Sequence, residues 1–177
     1  MTKGVLSGWS GWFSRVLEGK DKETRNAVSR NFKGGSLMTW AAFGYRGSSP
    51  ICFISHKTNA ENYIELLDDV LIAFAEENYG DNFTFQQDNA PIHTANKTKQ
   101  FFTERSIDAL DWPALNPDLN LVENIWGILS NNIYRNGRVF ETLKDLKIAI
   151  TEEWTKIPPD TLHRLISLLQ FRLTEVM

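Results

Sequence analysis

Two carboxylates in this 177-residue chain stand where metal-dependent phosphoryl chemistry can use them. Asp88 follows Phe83-Thr84-Phe85-Gln86-Gln87, and Glu123 lies inside Leu121-Val122-Glu123-Asn124-Ile125-Trp126, with 34 residues between the two acids. Acids delivered by a strand end and by a helix can meet in space and share Mg²⁺, a hard cation that takes oxygen ligands and is completed by water and substrate phosphates. A pair of such ions activates a water or a 3′-hydroxyl on one side of phosphorus and stabilises the leaving oxygen on the other. His93, five residues after Asp88, can orient a metal-bound water or a phosphate near the amino end of the next helix, or it can cap that helix and do no chemistry. By residue type alone, Asp88-Asn89-Ala90-Pro91 is also an ordinary turn and Glu123 an ordinary helix glutamate. Asp111 and Asp118 are accounted for as a strand end and a helix cap. The sequence holds no phosphate-cradling glycine loop, nucleophile elbow or zinc-ligand spacing.

The pattern of apolar residues supplies the elements that must hold these groups. Leu37 to Phe43 is a short apolar run after Gly34-Gly35 and predicts a buried strand, returned by a second strand over Ile51 to Ser55 after a Gly, Ser and Pro turn. Thr58 with Glu61 has the form of a capping box, and Tyr63, Leu66, Leu67, Val70 and Phe74 recur at helical spacing up to Gly80. Phe83 to Gln87 alternates as a strand does and ends in Asp88, with Pro91 as its stop. Thr94 caps a helix reaching Glu104, and Ile107 to Trp112 predicts another strand. Asn116-Pro117-Asp118 predicts the start of a helix whose apolar side is Leu119, Val122, Ile125, Trp126, Leu129 and Ile133, so Glu123 sits beside the buried stripe. Helices over Phe140 to Ile157 and Asp160 to Val176 follow. Leu162, Leu165, Ile166, Leu169 and Leu173 of the last one pack on the domain, with a dimer contact as the alternative. Residues Met1 to Lys33 read as irregular, with one short strand around Gly11 to Leu17.

A hydrophobic content of 42%, with six Trp and eleven Phe, supports one well-filled globular unit. The single Cys52 excludes an internal disulfide and a cysteine zinc site, fits a reducing compartment, and reads as a small buried residue on a strand. No leader and no membrane-spanning run is expected. A net charge of −3 provides no global attraction for nucleic acid, so DNA contact must be local, with Lys97, Lys99, Arg135 and Arg138 as candidates.

Phe85-Gln86-Gln87-Asp88-Asn89-Ala90-Pro91-Ile92-His93, Asp111-Trp112-Pro113, Asn116-Pro117-Asp118-Leu119-Asn120 and Glu123-Asn124-Ile125-Trp126-Gly127-Ile128-Leu129 resemble the catalytic domain of Tc/mariner transposases. Gly34-Gly35-Ser36-Leu37-Met38-Thr39-Trp40 is similar to that family's glycine-rich strand entry. The resemblance runs from about Asn31 to near the C-terminus and carries the 34-residue interval of the aspartate-aspartate-glutamate branch. It implies an α/β fold of the ribonuclease H-like kind, a mixed sheet flanked by helices with a helical C-terminus. It implies cut-and-paste DNA transposition in the nucleus, with Mg²⁺ or Mn²⁺ in a two-ion site. The partners it implies are transposon ends and target DNA; the homodimer is an option from the apolar face of the last helix, and no membrane partner is expected from the lack of a spanning apolar run. By position, Asp88 is the second acidic ligand and Glu123 the third; His93 is a candidate supporting residue on its spacing from Asp88, not on the resemblance. Asn116 and Leu121 stand where the family commonly has serine and proline.

The family's first aspartate, which lies on the first strand, has no counterpart. Setting Gly11-Trp12 against the end of the turn that follows it places the aspartate at or before Met1. The expectation is therefore one catalytic domain over residues 1–177: a divergent or truncated start over 1–30, a ribonuclease H-like core over 31–135 and C-terminal helices over 136–177. The first strand would be missing, and the chain alone would carry out little or no transposition. The alternatives are a transposase-derived protein- or DNA-binding module without enzymatic activity, and a metallonuclease completed by another carboxylate.

Overall fold

The computed structural model describes residues 4–12, 37–55, 57–110 and 121–176. Strand β2, Met38–Gly44, carries Trp40 and Ala42 in one buried cluster and Ala41 and Phe43 in another. A strand covered by helices on both faces must be apolar at consecutive positions, which is why this segment shows a continuous run instead of an alternation. Its partner is β1, Gly4–Trp12, antiparallel from Leu6 opposite Gly44 to Trp12 opposite Met38. Short β3, Gly47–Ser48, and β4, Cys52–Ile54, both pair with β2, as the predicted hairpin requires. Cys52 is half-buried on β4, not fully enclosed, and burial pushes its thiol pKa up.

On its other side β1 runs parallel to β5, Phe83–Gln86, from Gly4 beside Phe83 to Ser7 beside Gln86. Next comes β6, Asp108–Ala109, giving the order β3-β2-β1-β5-β6 with β4 also on β2. This corrects the expected loss of the first strand, because Gly4–Trp12 fills the centre of the sheet. β1 includes Gly11 and Trp12 of the short strand expected around Gly11 to Leu17, of which residues 13–17 lie outside the described residues. One of the glycines that made this segment read as irregular, Gly8, has a packing reason. A Cβ on Gly8 would overlap the Phe85 ring and stand 3.2 Å from Cζ2 of Trp40. Glycine weakens an isolated strand, but here it lets two large rings close over β1.

One face of the sheet is covered by a long helical rod: α1, Ala60–Leu66, a π-helical segment, Leu67–Ile72, and α2, Ala73–Asn78. Tyr63, Leu67, Leu71 and Phe74 from the rod join Leu6, Trp40, Phe85 and Phe102 in the core on this side. The cap of α1 is Asn59, which accepts from the Asn62 N–H at 2.9 Å; Thr58 instead donates to the Ser55 carbonyl. After β5 come α3, Pro91–Thr94, and α4, Asn96–Glu104; α4 is the helix predicted to be capped by Thr94, with Ala95 at its N-cap instead, and α3 is a short helix that precedes it.

The opposite face carries α5, Leu121–Ile133, α6, Leu143–Thr155, and α7, Pro159–Val176. Ile125, Leu129, Ile133, Ile150, Trp154 and Ile166 fill the second core. Trp154 also donates its Nε1–H to the Ser49 carbonyl at 2.8 Å, tying α6 to the loop between β3 and β4. Leu165 belongs to this core, which removes it from the dimer contact considered above, while Leu168 and Phe171 of α7 are exposed. Among the described residues no helix is long and apolar enough to cross a membrane.

Candidate functional site

Asp88 leaves the sheet just beyond the carboxyl end of β5, where the backbone turns toward Pro91. Its Oδ1 accepts the Ala90 N–H at 3.0 Å, closing an Asx turn that fixes the carboxylate locally. The same oxygen bonds Nδ1 of His93. The His93 side chain is fully buried, whereas that of Asp88 is 27% exposed, so the carboxylate is anchored from inside and open on its outer edge. Oδ2 accepts no hydrogen bond from the described residues. Burial by itself would raise the Asp88 pKa. The His93 hydrogen bond and charge and the Ala90 N–H outweigh that and hold the carboxyl below its ordinary value. The group is an ionised, oriented oxygen donor near neutral pH, which suits Mg²⁺ or Mn²⁺.

His93 acts on the carboxylate itself. It sits in α3 and holds Asp88, while α4 is preceded by Ala95, which makes no side-chain cap bond. Behind it, the Tyr63 ring packs on the imidazole with centroids 4.5 Å apart and planes 34° apart. The Tyr63 hydroxyl donates to Oε1 of Gln87 at 2.7 Å, and Nε2 of Gln87 donates to the His93 carbonyl at 3.3 Å. Burial, reinforced by the Asp88 charge, drives the Tyr63 pKa strongly upward, so the phenol remains a donor. Sequence reasoning took Tyr63 as one of an apolar stripe and Gln87 as a strand residue. The available signal was a tyrosine at a position where phenylalanine would have satisfied the stripe, since a buried hydroxyl requires a partner.

Glu123 lies near the start of α5, a helix that packs against β1, the strand beside β5. Its side chain is outside what the structure describes, as are Asp111, Trp112, Asn116, Pro117 and Asp118. No metal-binding group of three or more His, Cys, Asp or Glu gathers among the described residues, a set that leaves out the Glu123 side chain. The last pair between β1 and β5 is Ser7 with Gln86, so Gly8-Trp9-Ser10-Gly11-Trp12 extends past the end from which Asp88 emerges. That stretch contains no carboxylate. Of the basic residues considered for DNA contact, Lys97 is paired with Glu61, and Arg138 lies over the Phe140 ring at 4.7 Å.

Comparison with known proteins points the same way. Residues 13–147 match the family model described as DDE superfamily endonuclease. The Tc3 transposase of Caenorhabditis elegans is 39% identical over 156 residues, a match covering 88% of this chain and 47% of that protein. The Tc1 transposase of the same organism is 28% identical over 172 residues, covering 97% of this chain and 62% of its own length. The chain thus spans about half the length of the curated relatives it matches. Among solved structures, the Mos1 transposase catalytic domain with raltegravir and Mg superposes with a TM-score of 0.72 at 17% identity. That match covers 95% of this chain and 79% of the other. The Mos1 paired-end complex with the left transposon end gives 0.77 at 18% identity, over 95% of this chain and 52% of the other. At these identities the structures speak to fold, and the fold they share with this chain is ribonuclease H-like.

Proposed function

This chain belongs to the DDE superfamily endonucleases as a Tc/mariner transposase domain, and from that premise we propose that Asp88 and Glu123 are its metal ligands for DNA strand cleavage and strand transfer. The observation that carries the proposal is the Asp88 carboxylate, ionised, anchored through one oxygen by His93 and Ala90, and presented at the carboxyl end of β5 beside the central strand. Mg²⁺ or Mn²⁺, when bound, would supply activation of the attacking hydroxyl and stabilisation of the leaving oxygen at phosphorus. The chain's own contribution is placement: the partly exposed Asp88 carboxylate is held through Oδ1, and α5, which carries Glu123 near its start, packs against β1.

The substrate class is transposon-end and target DNA, and the place of action is the nucleus. The related Mos1 structures include a paired-end complex with a transposon end and a catalytic domain with Mg, which supports this reading. β1 carries no acid, so among the described residues nothing on that strand supplies a third carboxylate, and on this reading the chain alone catalyses little or no transposition. The alternative role is a transposase-derived module that binds protein or DNA without cleaving it.

The test is Mn²⁺ titration by calorimetry on the chain and on Asp88→Asn and Glu123→Gln, alongside cleavage of oligonucleotide transposon ends with Mg²⁺ or Mn²⁺. The proposal expects Mn²⁺ binding that either substitution abolishes, with no efficient cleavage. Binding that ignores both substitutions would refute the ligand assignment, and efficient cleavage would refute the predicted inactivity.

A further inference from the structure

We infer that Tyr63 and Gln87 are positioning residues for the Asp88 carboxylate, acting through His93. This inference rests on the reading of Asp88 as a metal ligand and extends it to the helix across the core.

His93 is held on three sides. Asp88 takes Nδ1, the Tyr63 ring covers one face of the imidazole, and the Gln87 amide donates to the backbone carbonyl. The phenol connects the last two. It is buried and must donate, and Oε1 of Gln87 accepts from it, which forces Nε2 of Gln87 toward the His93 carbonyl. The amide orientation is therefore set by Tyr63, and the amide in turn fixes the backbone of α3. Tyr63 is itself placed by the Asn59 cap of α1 and by packing of the rod on β2 and β5. A core role explains the ring. It does not explain a hydroxyl aimed at the residue that precedes Asp88.

Substitutions separate placement from packing. Tyr63→Phe keeps the ring and leaves Oε1 of Gln87 buried without its donor. Tyr63→Phe combined with Gln87→Leu removes both polar partners, a change that can be nearly neutral for stability. Two measurements apply to each protein: Mn²⁺ affinity, with the metal alone as probe, and the ¹⁵N chemical shifts of the His93 imidazole at fixed pH.

Positioning predicts that Tyr63→Phe weakens Mn²⁺ about tenfold, the lower end of what outer-shell partners of metal ligands typically contribute. It also predicts moved His93 shifts, and a double variant that recovers thermal stability without recovering affinity or shifts. Affinity and shifts that stay at the wild-type values in Tyr63→Phe, or that recover together with stability in the double variant, overturn it. The ligand reading fails separately, when Asp88→Asn binds Mn²⁺ as the wild type does. In that case the His93 shifts alone decide the inference: movement in both Tyr63→Phe and the double variant supports it, and any other result overturns it.

Discussion

Strands β1 and β5 lie side by side and run in the same direction, yet only one of them leads to an acid. The chain leaving β5 presents Asp88 in an anchored, ionised form. β1 extends past the same end of the sheet with glycine, serine and tryptophan. The contrast shows that the two demands on a catalytic strand are separable. The strand itself is held by Leu6 in the core, by the room Gly8 leaves for Phe85 and Trp40, and by ladders to two neighbours. None of these needs a carboxylate, so the strand can form whether or not it carries an acid.

The largest expected effect comes from removing the difference. Trp9→Asp and Ser10→Asp place a carboxylate on β1 at adjacent positions, which face opposite sides of a strand. One of the two should tighten Mn²⁺ by about 10–100-fold, at least the scale that outer-shell partners command. If calorimetry finds neither variant tighter than the parent, β1 is not a strand from which an acid can reach the proposed metal site.

Breaking β1 as a scaffold is the next test. Gly8→Val forces a branched side chain into the space of the Phe85 ring and should cost about 1–3 kcal/mol by overpacking. That is readable as a lower midpoint in urea. Full wild-type stability would mean that β1 is not packed under Phe85 and Trp40.

A third test concerns the electrostatics on the β5 side. The Asp88 carboxyl is held below its ordinary value of 3.8, so its folded-state pKa is depressed. The stability it contributes is present above that ordinary value and is lost as pH falls through the folded-state value. The stability difference between wild type and Asp88→Asn should therefore be constant near neutrality and shrink below about pH 3.8. A difference that instead grows in acid would mean that the carboxylate is destabilised in the fold.

The smallest effect serves as a control remote from both strands. The Thr142 hydroxyl caps α6 by accepting the Asp145 N–H at 3.1 Å. Thr142→Ala should cost about 1 kcal/mol with Mn²⁺ affinity unchanged. A change in affinity would mean that the metal site responds to stability in general, and the variants of β1 and β5 would need to be reinterpreted.

Much of this arrangement was legible before any coordinates. The apolar run around Trp40, the helical stripe from Tyr63 to Phe74, and the strand ending at Asp88 each express a local period, which neighbouring residues alone can set. The same holds for the later helices and for the family to which the motifs around Asp88 and Glu123 point. Boundaries moved where a cap depended on detail: Asn59 in place of Thr58, and Ala95 in place of Thr94.

Long-range contact settled the rest. Gly4–Trp12 reads as irregular because glycine and serine disfavour strands in isolation, and only the rings of Phe85 and Trp40, far along the chain, turn Gly8 into a requirement. The link from Tyr63 through Gln87 and His93 to Asp88 likewise joins a helix to a strand end 24 and more residues away. The sequence by itself determined the types of element, the family and the acids available for chemistry, because these depend on residue identity and short spacing. Only the tertiary structure decided that a central strand forms without an acid and that Asp88 is held from behind, because both depend on side chains that meet through the packed core.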